Sequence, residues 1–293
     1  MHLDQFIEYL ENERKKSRNT LEAYKRDIAG FFDFLKKRGI DEPDNVTNTE
    51  IVAFLMELKN ENRAPATMNR KMASVRAYYN FLVEKQYIQQ NPTQNIKTPK
   101  VEKKEIEYLT IEEVDKLLDM PDDSIRGKRD KAILELLYAT GIRVNEVIAA
   151  NINDVNLRIG FFTCPGEAGK ARIIPIGRPA KAALEEYIYN SRDMIIKENK
   201  GETALFVNYY GKRMTRQGLW KIMKEYADKA GLSKKLKPHI LRNSFAVHMV
   251  QNGADLKSLQ ELLGHEDISA TQIYLSVTKN RIKDVYDKTH PRA

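Results

Sequence analysis

Hydrophobic residues recur every three or four positions through the first hundred residues of the chain, which is the spacing of an amphipathic helix. One such stripe closes on residues 36–39, where cations followed by glycine favour a helix end. Another follows Thr47 and Glu50, whose spacing is that of a capping box at a helix start. Four predicted helices with short connections indicate a helical bundle over residues 1–97.

The fourth predicted helix begins near Ala66 and presents a polar face opposite its hydrophobic stripe. That face consists of Thr67, Arg70, Lys71, Ser74 and Arg76. Side chains of these types contact phosphates or enter a groove in DNA-binding helices, so we predict that they contact DNA. A solvated helix face has the same composition, and the stripe alone does not distinguish the two.

A polar, proline-containing segment over residues 98–107 interrupts the helical pattern and predicts a linker between two domains. The second domain, residues 108–293, restarts with a capping box formed by Thr110 and Glu113. Strand-like runs around a Pro-Gly turn predict a small β-sheet at about residues 153–176, and helical patterns resume after it. The chain is therefore predicted to be mainly α with one small β-sheet.

The composition narrows the functional class. A content of 42% hydrophobic and 31% charged residues is typical of a globular protein. The net charge of +8 favours a polyanionic partner, although surplus surface lysine would give the same value. The single cysteine, Cys164, excludes an internal disulfide and a zinc site built from several cysteines. The N-terminus does not resemble a signal peptide and no apolar run approaches the ~20 residues that span a bilayer, so we expect a cytoplasmic protein without a membrane partner.

Candidate chemistry is concentrated after Pro238. His239 and Arg242 stand three positions apart, so a helix that begins there would project both side chains from one face. An imidazole and a guanidinium beside a positive helix N-terminus make a suitable site for an oxyanion or a phosphate. Taken alone, the same pair could be a surface histidine and a salt-bridged arginine.

Two further candidates follow. A helix that ends at Gly264 delivers His265, and a helix over about residues 269–276 carries Tyr274. In isolation either side chain could be structural. A metal-dependent hydrolase is disfavoured because the sequence has no His-x-x-x-His pair, paired carboxylates or glycine-rich phosphate loop, and we predict no metal site.

Four boxes in the sequence resemble the signature motifs of the tyrosine recombinases, most closely those of the Xer-type branch. The boxes are residues 140–146 (Thr-Gly-Ile-Arg-Val-Asn-Glu), 239–246 (His-Ile-Leu-Arg-Asn-Ser-Phe-Ala), 262–265 (Leu-Leu-Gly-His) and 271–274 (Thr-Gln-Ile-Tyr). Their order and intervals agree with the family, and the resemblance covers nearly the whole chain. It implies an N-terminal helical domain that clamps DNA and a C-terminal domain that breaks and rejoins it.

The resemblance implies a role for each candidate. Tyr274 would attack a DNA phosphodiester and form a 3′-phosphotyrosyl link with a free 5′-hydroxyl. Arg143 and Arg242 would hold the non-bridging oxygens. His239 would serve as base or proton shuttle and His265 as a further donor. Because the phosphotyrosine conserves the bond energy and the arginines supply the charge, neither ATP nor a metal cofactor is expected.

The general acid fits the family less well. The family places a lysine in the β-hairpin to protonate the leaving 5′-oxygen, but an ungapped alignment puts Glu167 at that position. Lys170 matches the family's second hairpin lysine, and we assign the role to it in a re-registered hairpin. The alternative is a weakened general acid. Milder departures are Asn145, where the family usually has Ser, and Asn243, where it often has His.

Partners follow from the same resemblance. Lys212, Arg213 and Arg216 precede a predicted helix and are expected DNA contacts, although they could equally form a solvated turn. The implied partner is double-stranded DNA with a specific recombination site, bound by a homo- or hetero-tetramer on two duplexes. A paralogous recombinase and a DNA translocase are further implied partners, in chromosome dimer resolution or in integration and excision of mobile DNA.

Two other functions remain open. A type IB topoisomerase shares the chemistry but relaxes supercoils without strand exchange. A DNA-binding protein with weakened catalysis would account for Glu167 at the position of the usual lysine.

Overall fold

The computed structural model describes residues 2–100, 105–165, 171–197, 199–264 and 269–274. The chain divides into two units, Met1–Lys104 and Glu105–Ala293, which we call the N-terminal and C-terminal units. The division lies inside the segment 98–107 that the sequence predicts to be a linker.

The described residues of the N-terminal unit form four α-helices: α1 (Leu3–Asn12), α2 (Arg18–Lys37), α3 (Asn48–Asn60) and α4 (Pro65–Glu84). The capping box predicted at Thr47 and Glu50 is present at the start of α3. Apolar and aromatic side chains fill the interior, with Phe6, Ile28, Phe31, Tyr78 and Tyr79 fully buried. The predicted four-helix arrangement is confirmed.

The C-terminal unit begins with α5 (Ile111–Leu118), α6 (Ile125–Thr140) and the short α7 (Val144–Ala149). After the sheet come α8 (Arg178–Tyr187), a π-helical turn at Ile188–Arg192 and α9 (Asp193–Ile196). The unit continues with α10 (Arg216–Lys229), α11 (Ile240–Gln251), α12 (Leu256–Leu263) and α13 (Ser269–Gln272). The apolar helix α6 is central, since Ala132, Ile133, Leu134 and Leu136 are fully buried.

The sheet consists of β1 (Val155–Asn156), β2 (Phe161–Cys164) and β3 (Arg172–Pro175), joined antiparallel in the order β1-β2-β3. Phe162 pairs with Ile174 and Cys164 with Arg172, which sets the register of β2 against β3. Within the described part of the C-terminal unit this is the only sheet. The predicted fold class, mainly α with one small β-sheet, is confirmed.

Candidate active site

Three arginine side chains converge on the C-terminal end of α12. Each donates a hydrogen bond to one of three consecutive backbone carbonyls: Arg172 Nε to Leu262 (2.8 Å), Arg242 Nη2 to Leu263 (2.8 Å) and Arg143 Nη2 to Gly264 (3.4 Å). The last carbonyls of a helix have no partner within it and form the negative end of its dipole, so cations are favourable there. The end of α12 therefore gathers arginines from three separate parts of the sequence.

Gly264 ends α12 in the left-handed conformation, with φ of 64°. A Cβ atom placed on Gly264 would lie 2.8 Å from Nη1 of Arg172. A side chain here would strain the backbone and displace the guanidinium group. The predicted glycine cap is confirmed, and its packing against Arg172 gives a second reason for glycine.

Arg143 is the N-cap residue of α7. Its backbone N–H donates to Oε2 of Glu146 at 2.6 Å, and its Nη1 donates to Oε1 at 3.1 Å. The side chain nevertheless remains 43% exposed. Glu146 thus fixes one edge of the guanidinium while the group stays open to solvent.

Glu146 is shared with a second arginine. Arg172 binds the carboxylate with both terminal nitrogens, at 3.0 and 2.9 Å, and the two side chains are only 15% and 12% exposed. Burial alone would raise the pKa of Glu146, but the hydrogen bonds from Arg172 and Arg143 outweigh it and lower the pKa. Glu146 is therefore ionised at neutral pH and couples Arg143 to strand β3.

Neither Glu146 nor Arg172 was predicted from the sequence to have a role at the site. Glu146 stands three residues after Arg143, which is the capping-box spacing and was the available signal. The contact between Arg172 and Glu146 spans 26 residues of sequence, so no local pattern indicates it.

Arg242 lies in the first turn of α11 and is only 6% exposed. Besides its bond to the end of α12, its Nη1 donates to the carbonyl of Gly141 at 2.7 Å. Burial and the nearby Arg143 guanidinium lower its pKa to about 10, so the side chain is still a cation at neutral pH. Arg242 therefore supplies a fixed positive charge behind the more exposed Arg143.

His239 is the N-cap residue of α11, whereas the sequence placed it inside the first turn. The residue is exposed. Its pKa is lowered by partial burial and by the positive charges of Arg242, Arg216 and Arg143. The imidazole is therefore neutral at pH 7 and able to accept a proton.

Tyr274 lies two residues beyond α13 and is only 3% exposed. Its hydroxyl donates to Oδ1 of Asn243 at 3.3 Å. Burial raises the pKa of Tyr274, while the positive charges of Arg242 and Arg143 oppose the rise. The phenol is thus protonated at rest, within reach of the field of both arginines.

Two predicted catalytic residues, Lys170 and His265, lie outside the described residues, as does Glu167. Their assignments remain predictions from the sequence.

The predicted DNA-contacting face of α4 is partly internal. The expectation that Ser74 lies on an exposed face is wrong: Ser74 is 5% exposed, and its hydroxyl donates to Oδ2 of the buried Asp27 at 2.9 Å. Arg70 pairs with the same carboxylate, and Lys71 Nζ lies 4.0 Å from its Oδ1. A buried carboxylate requires such partners, so a large part of this stripe serves the interior of the bundle.

The remaining members of the stripe differ in exposure. Arg76 is half-buried and donates to the carbonyl of Ile96, and Thr67 is half-buried at the start of α4. Arg70 keeps 45% of its side chain exposed, in contrast to 18% for Lys71. Arg70 is therefore the cation of this face that is best placed to meet an external partner.

The three cations before α10 that were predicted to contact DNA also differ in their surroundings. Arg213 donates to the carbonyls of Ile148, Ala149 and Ala150 at 2.8 to 3.0 Å, so it caps the end of α7 and is not a free surface cation. Lys212 and Arg216 are exposed. Arg216 also acts on the pKa of His239, which places its charge beside the site.

The cluster has the properties needed to bind and attack a phosphate. The three arginines face one carboxylate, Glu146, so these four side chains carry a net charge of +2. A neutral imidazole, His239, and a phenol, Tyr274, stand within the field of the same cations. Preorganised cations stabilise the charge of a phosphoryl-transfer transition state, and an activated hydroxyl supplies the nucleophile.

In the described part of the chain, no group of three or more His, Cys, Asp and Glu side chains is arranged to hold a metal ion. The helices described also include none that is long and apolar enough to cross a membrane.

Comparison with known proteins identifies relatives of both units. Residues 107–281 match the Phage integrase family, and residues 3–86 match the N-terminal SAM-like domain of phage integrases. The chain is 45% identical over 292 residues to a protein named tyrosine recombinase XerD from Oceanobacillus iheyensis, with 99% of this chain and 98% of the relative covered. It is 47% identical over 291 residues to the putative tyrosine recombinase TTE1313 of Caldanaerobacter subterraneus, with 99% and 98% covered.

A similar fold occurs among solved structures. The XerH site-specific recombinase bound to palindromic difH substrate, in a post-cleavage complex, superposes with a TM-score of 0.77 at 22% identity. The superposition covers 97% of this chain and 83% of that one.

Proposed function

Because the chain belongs to the phage integrase family and is a Xer-type, site-specific tyrosine recombinase, we propose that Tyr274 is the nucleophile that cleaves DNA and that Arg143 and Arg242 bind the scissile phosphate. The observation that carries this proposal is that both arginines bind the end of α12, where Tyr274 packs with Leu263, and that their charges act on the pKa of His239 and of Tyr274. These groups come from three separate parts of the sequence: Arg143 at the start of α7, His239 and Arg242 at the start of α11, and Tyr274 after α13.

The proposed reaction is a transesterification. The Tyr274 oxygen bonds to phosphorus as the bond to the 5′-oxygen breaks, which leaves a 3′-phosphotyrosine and a 5′-hydroxyl. His239, neutral at pH 7, accepts the phenol proton. Lys170 protonates the leaving oxygen and His265 donates a hydrogen bond to the phosphate. The 5′-hydroxyl of a partner strand then reverses the step, so the sequence of reactions needs no ATP.

DNA recognition is proposed to involve both units. Arg70 in the N-terminal unit and Lys212 and Arg216 in the C-terminal unit are exposed cations suited to phosphate contacts. Lys71, Thr67 and Arg76 contribute less because they are more buried, and Arg213 acts by holding the end of α7.

The proposed assembly is a homo- or hetero-tetramer on two DNA duplexes, in the cytoplasm. Relatives named XerD and XerC support a role in chromosome dimer resolution, for which a paralogous recombinase and a DNA translocase would be partners. A structural relative is a transposon integrase in complex with circular intermediate DNA, which supports mobile-element integration and excision as the other candidate role.

Trapping of the covalent intermediate tests the proposal. A duplex sequence that the protein enriches from a random library is rebuilt with a nick, so that cleavage releases a short fragment and religation fails. Wild type should form a protein–DNA adduct in the presence of EDTA, Tyr274→Phe should form none, and Lys170→Ala should form it more slowly. An adduct with Tyr274→Phe would show that the nucleophile is another residue.

The same material separates the alternative functions. Relaxation of a supercoiled plasmid that lacks the enriched sequence would favour a type IB topoisomerase. Specific binding by wild type without any adduct would favour a DNA-binding protein with weakened catalysis, as Glu167 at the position of the usual lysine would explain.

A further inference from the structure

Asn243 connects the proposed nucleophile to the start of the C-terminal unit. Its Oδ1 accepts a hydrogen bond from the Tyr274 hydroxyl at 3.3 Å, and its Nδ2 donates to the carbonyl of Glu107 at 3.1 Å. Because Nδ2 donates to Glu107, the oxygen is the end of the amide that faces Tyr274. Only this oxygen can accept a hydrogen bond from the phenol. Asn243 is half-buried, and its bond to Tyr274 is partly shielded from water, whereas its bond to Glu107 is exposed.

The segment that Asn243 contacts, residues 106–109, is itself attached to α11. The N–H of Leu109 donates to Oγ of Ser244 at 2.9 Å, within the buried interior. The carboxylate of Glu107 pairs with Lys237 Nζ at 2.5 Å, just before α11. Each bond holds the segment along the helix that also carries Asn243.

The same segment borders the apolar cluster that holds Tyr274. Ile106 and Tyr108 pack against this cluster, whose buried members include Phe245, Leu263 and Tyr274. The ring of Tyr274 and the chain entering the C-terminal unit therefore share one packing environment. A displacement of the segment would alter the surroundings of the ring as well as the bond to Asn243.

The observed position of Tyr274 is a resting one. Attack on phosphorus requires the nucleophilic oxygen to come within about 3–3.5 Å of it, whereas Tyr274 is 3% exposed and its hydroxyl is engaged by a neutral acceptor. An amide oxygen stabilises the phenol and not the phenolate, because it can only accept the proton that the phenol carries. The bond to Asn243 must therefore break before or during cleavage.

We propose that Asn243 is a positioning residue that holds the Tyr274 hydroxyl in this resting position against residues 106–109, so that the segment entering the C-terminal unit controls how readily the nucleophile is released. The proposal rests on the proposed function, since it assumes that Tyr274 forms the covalent intermediate.

Two substitutions of Asn243 should change the rate in opposite directions. Asn243→Ala removes a neutral hydrogen bond of ordinary strength, so the single-turnover rate of adduct formation on the nicked duplex should rise about threefold at saturating protein. Asn243→Asp loses the bond to the Glu107 carbonyl but offers the phenol a stronger, charged acceptor, so the rate should fall below that of wild type. The protein concentration for half-saturation of the duplex should stay unchanged in both variants.

A pair of matched lysine substitutions tests the role of the segment without altering Asn243. Lys237→Ala releases the Glu107 side chain and should raise the adduct rate, in the same direction as Asn243→Ala. Lys235 pairs with Glu113 at the same distance of 2.5 Å, and Lys235→Ala should leave the rate unchanged.

The outcomes separate the two proposals. An Asn243→Ala rate at or below that of wild type, with unchanged DNA binding, would overturn the resting position. Equal rates for Lys237→Ala and Lys235→Ala would overturn control by the segment. If wild type forms no adduct, or Tyr274→Phe still forms one, the proposed function itself fails.

Discussion

Replacement of Arg172 by alanine should destabilise the C-terminal unit and disorganise the proposed phosphate site. The substitution removes a bidentate ion pair to Glu146 and a hydrogen bond to the Leu262 carbonyl. Loss of one partner of a buried ion pair costs about 3–5 kcal/mol because the other charge stays buried. Since Glu146 keeps its two bonds to Arg143, we expect the lower end, about 3 kcal/mol.

Trp220 offers a specific probe of this loss. It is the only tryptophan of the chain and lies in α10, so its fluorescence follows unfolding of the C-terminal unit. Urea titrations of wild type and Arg172→Ala should give different midpoints with similar slopes. Arg158→Ala is the matched control, because Arg158 is an exposed arginine in the turn between β1 and β2.

A destabilisation by Arg172→Ala of under about 1 kcal/mol, the range of an exposed ion pair, would refute this reasoning. Adduct formation gives an independent readout at a temperature where both proteins are folded. Arg172→Ala should slow it because Glu146 then holds Arg143 without being fixed to β3. Arg172→Lys should recover part of the rate, since an ammonium group restores one charge contact but not the bidentate geometry.

Three further substitutions test other parts of the structure. Arg216→Ala removes one of the positive charges that lower the pKa of His239. Wild type should lose adduct formation only below the ordinary pKa of histidine, and in the variant this loss should begin at a higher pH than in wild type. Gly264→Ala should destabilise the C-terminal unit by about 1–2 kcal/mol for the left-handed backbone and by more for the contact with Arg172, which Trp220 fluorescence should report as a lower thermal midpoint. Asp27→Asn should destabilise the N-terminal unit by about 2 kcal/mol, measured by circular dichroism, because a charged acceptor of the bonds from its neighbours is lost.

The sequence was sufficient for the features that depend on local pattern. Helical spacing and capping boxes located α3 and α5, whose caps at Thr47 and Thr110 form as predicted. Side-chain alternation around the Pro-Gly turn located the sheet. These elements were predictable because their determinants lie within a few residues of each other.

Features that depend on tertiary partners were not predictable. Ser74 was predicted to lie on the solvated face of α4, but the buried face includes it. Its hydrogen-bond acceptor there is Asp27 in α2, which lies 47 residues away in sequence. Arg213 was interpreted as a surface cation, and its carbonyl partners on α7 lie 63 to 65 residues earlier. In both cases a polar side chain is satisfied by a group that no local pattern reveals.

The end of α12 shows how backbone carbonyls can gather positive charge, since a carbonyl dipole does not neutralise the cation that it binds. If carboxylates balanced every arginine, the site would have no net charge left to attract a phosphate. Here one carboxylate, Glu146, serves two arginines, and backbone carbonyls accept further hydrogen bonds from all three. Carbonyl dipoles orient a guanidinium group but leave its full charge in place.

A phosphodiester that enters this cluster therefore meets cations that the carbonyl oxygens at the end of α12 have already aligned. Folding orients these cations before DNA binds, and such preorganised charges stabilise a transition state strongly. The contribution of Arg143 to catalysis should therefore depend on α12 as much as on its own helix. Substitutions that unwind the last turn of α12 should thus slow adduct formation even where every arginine is retained.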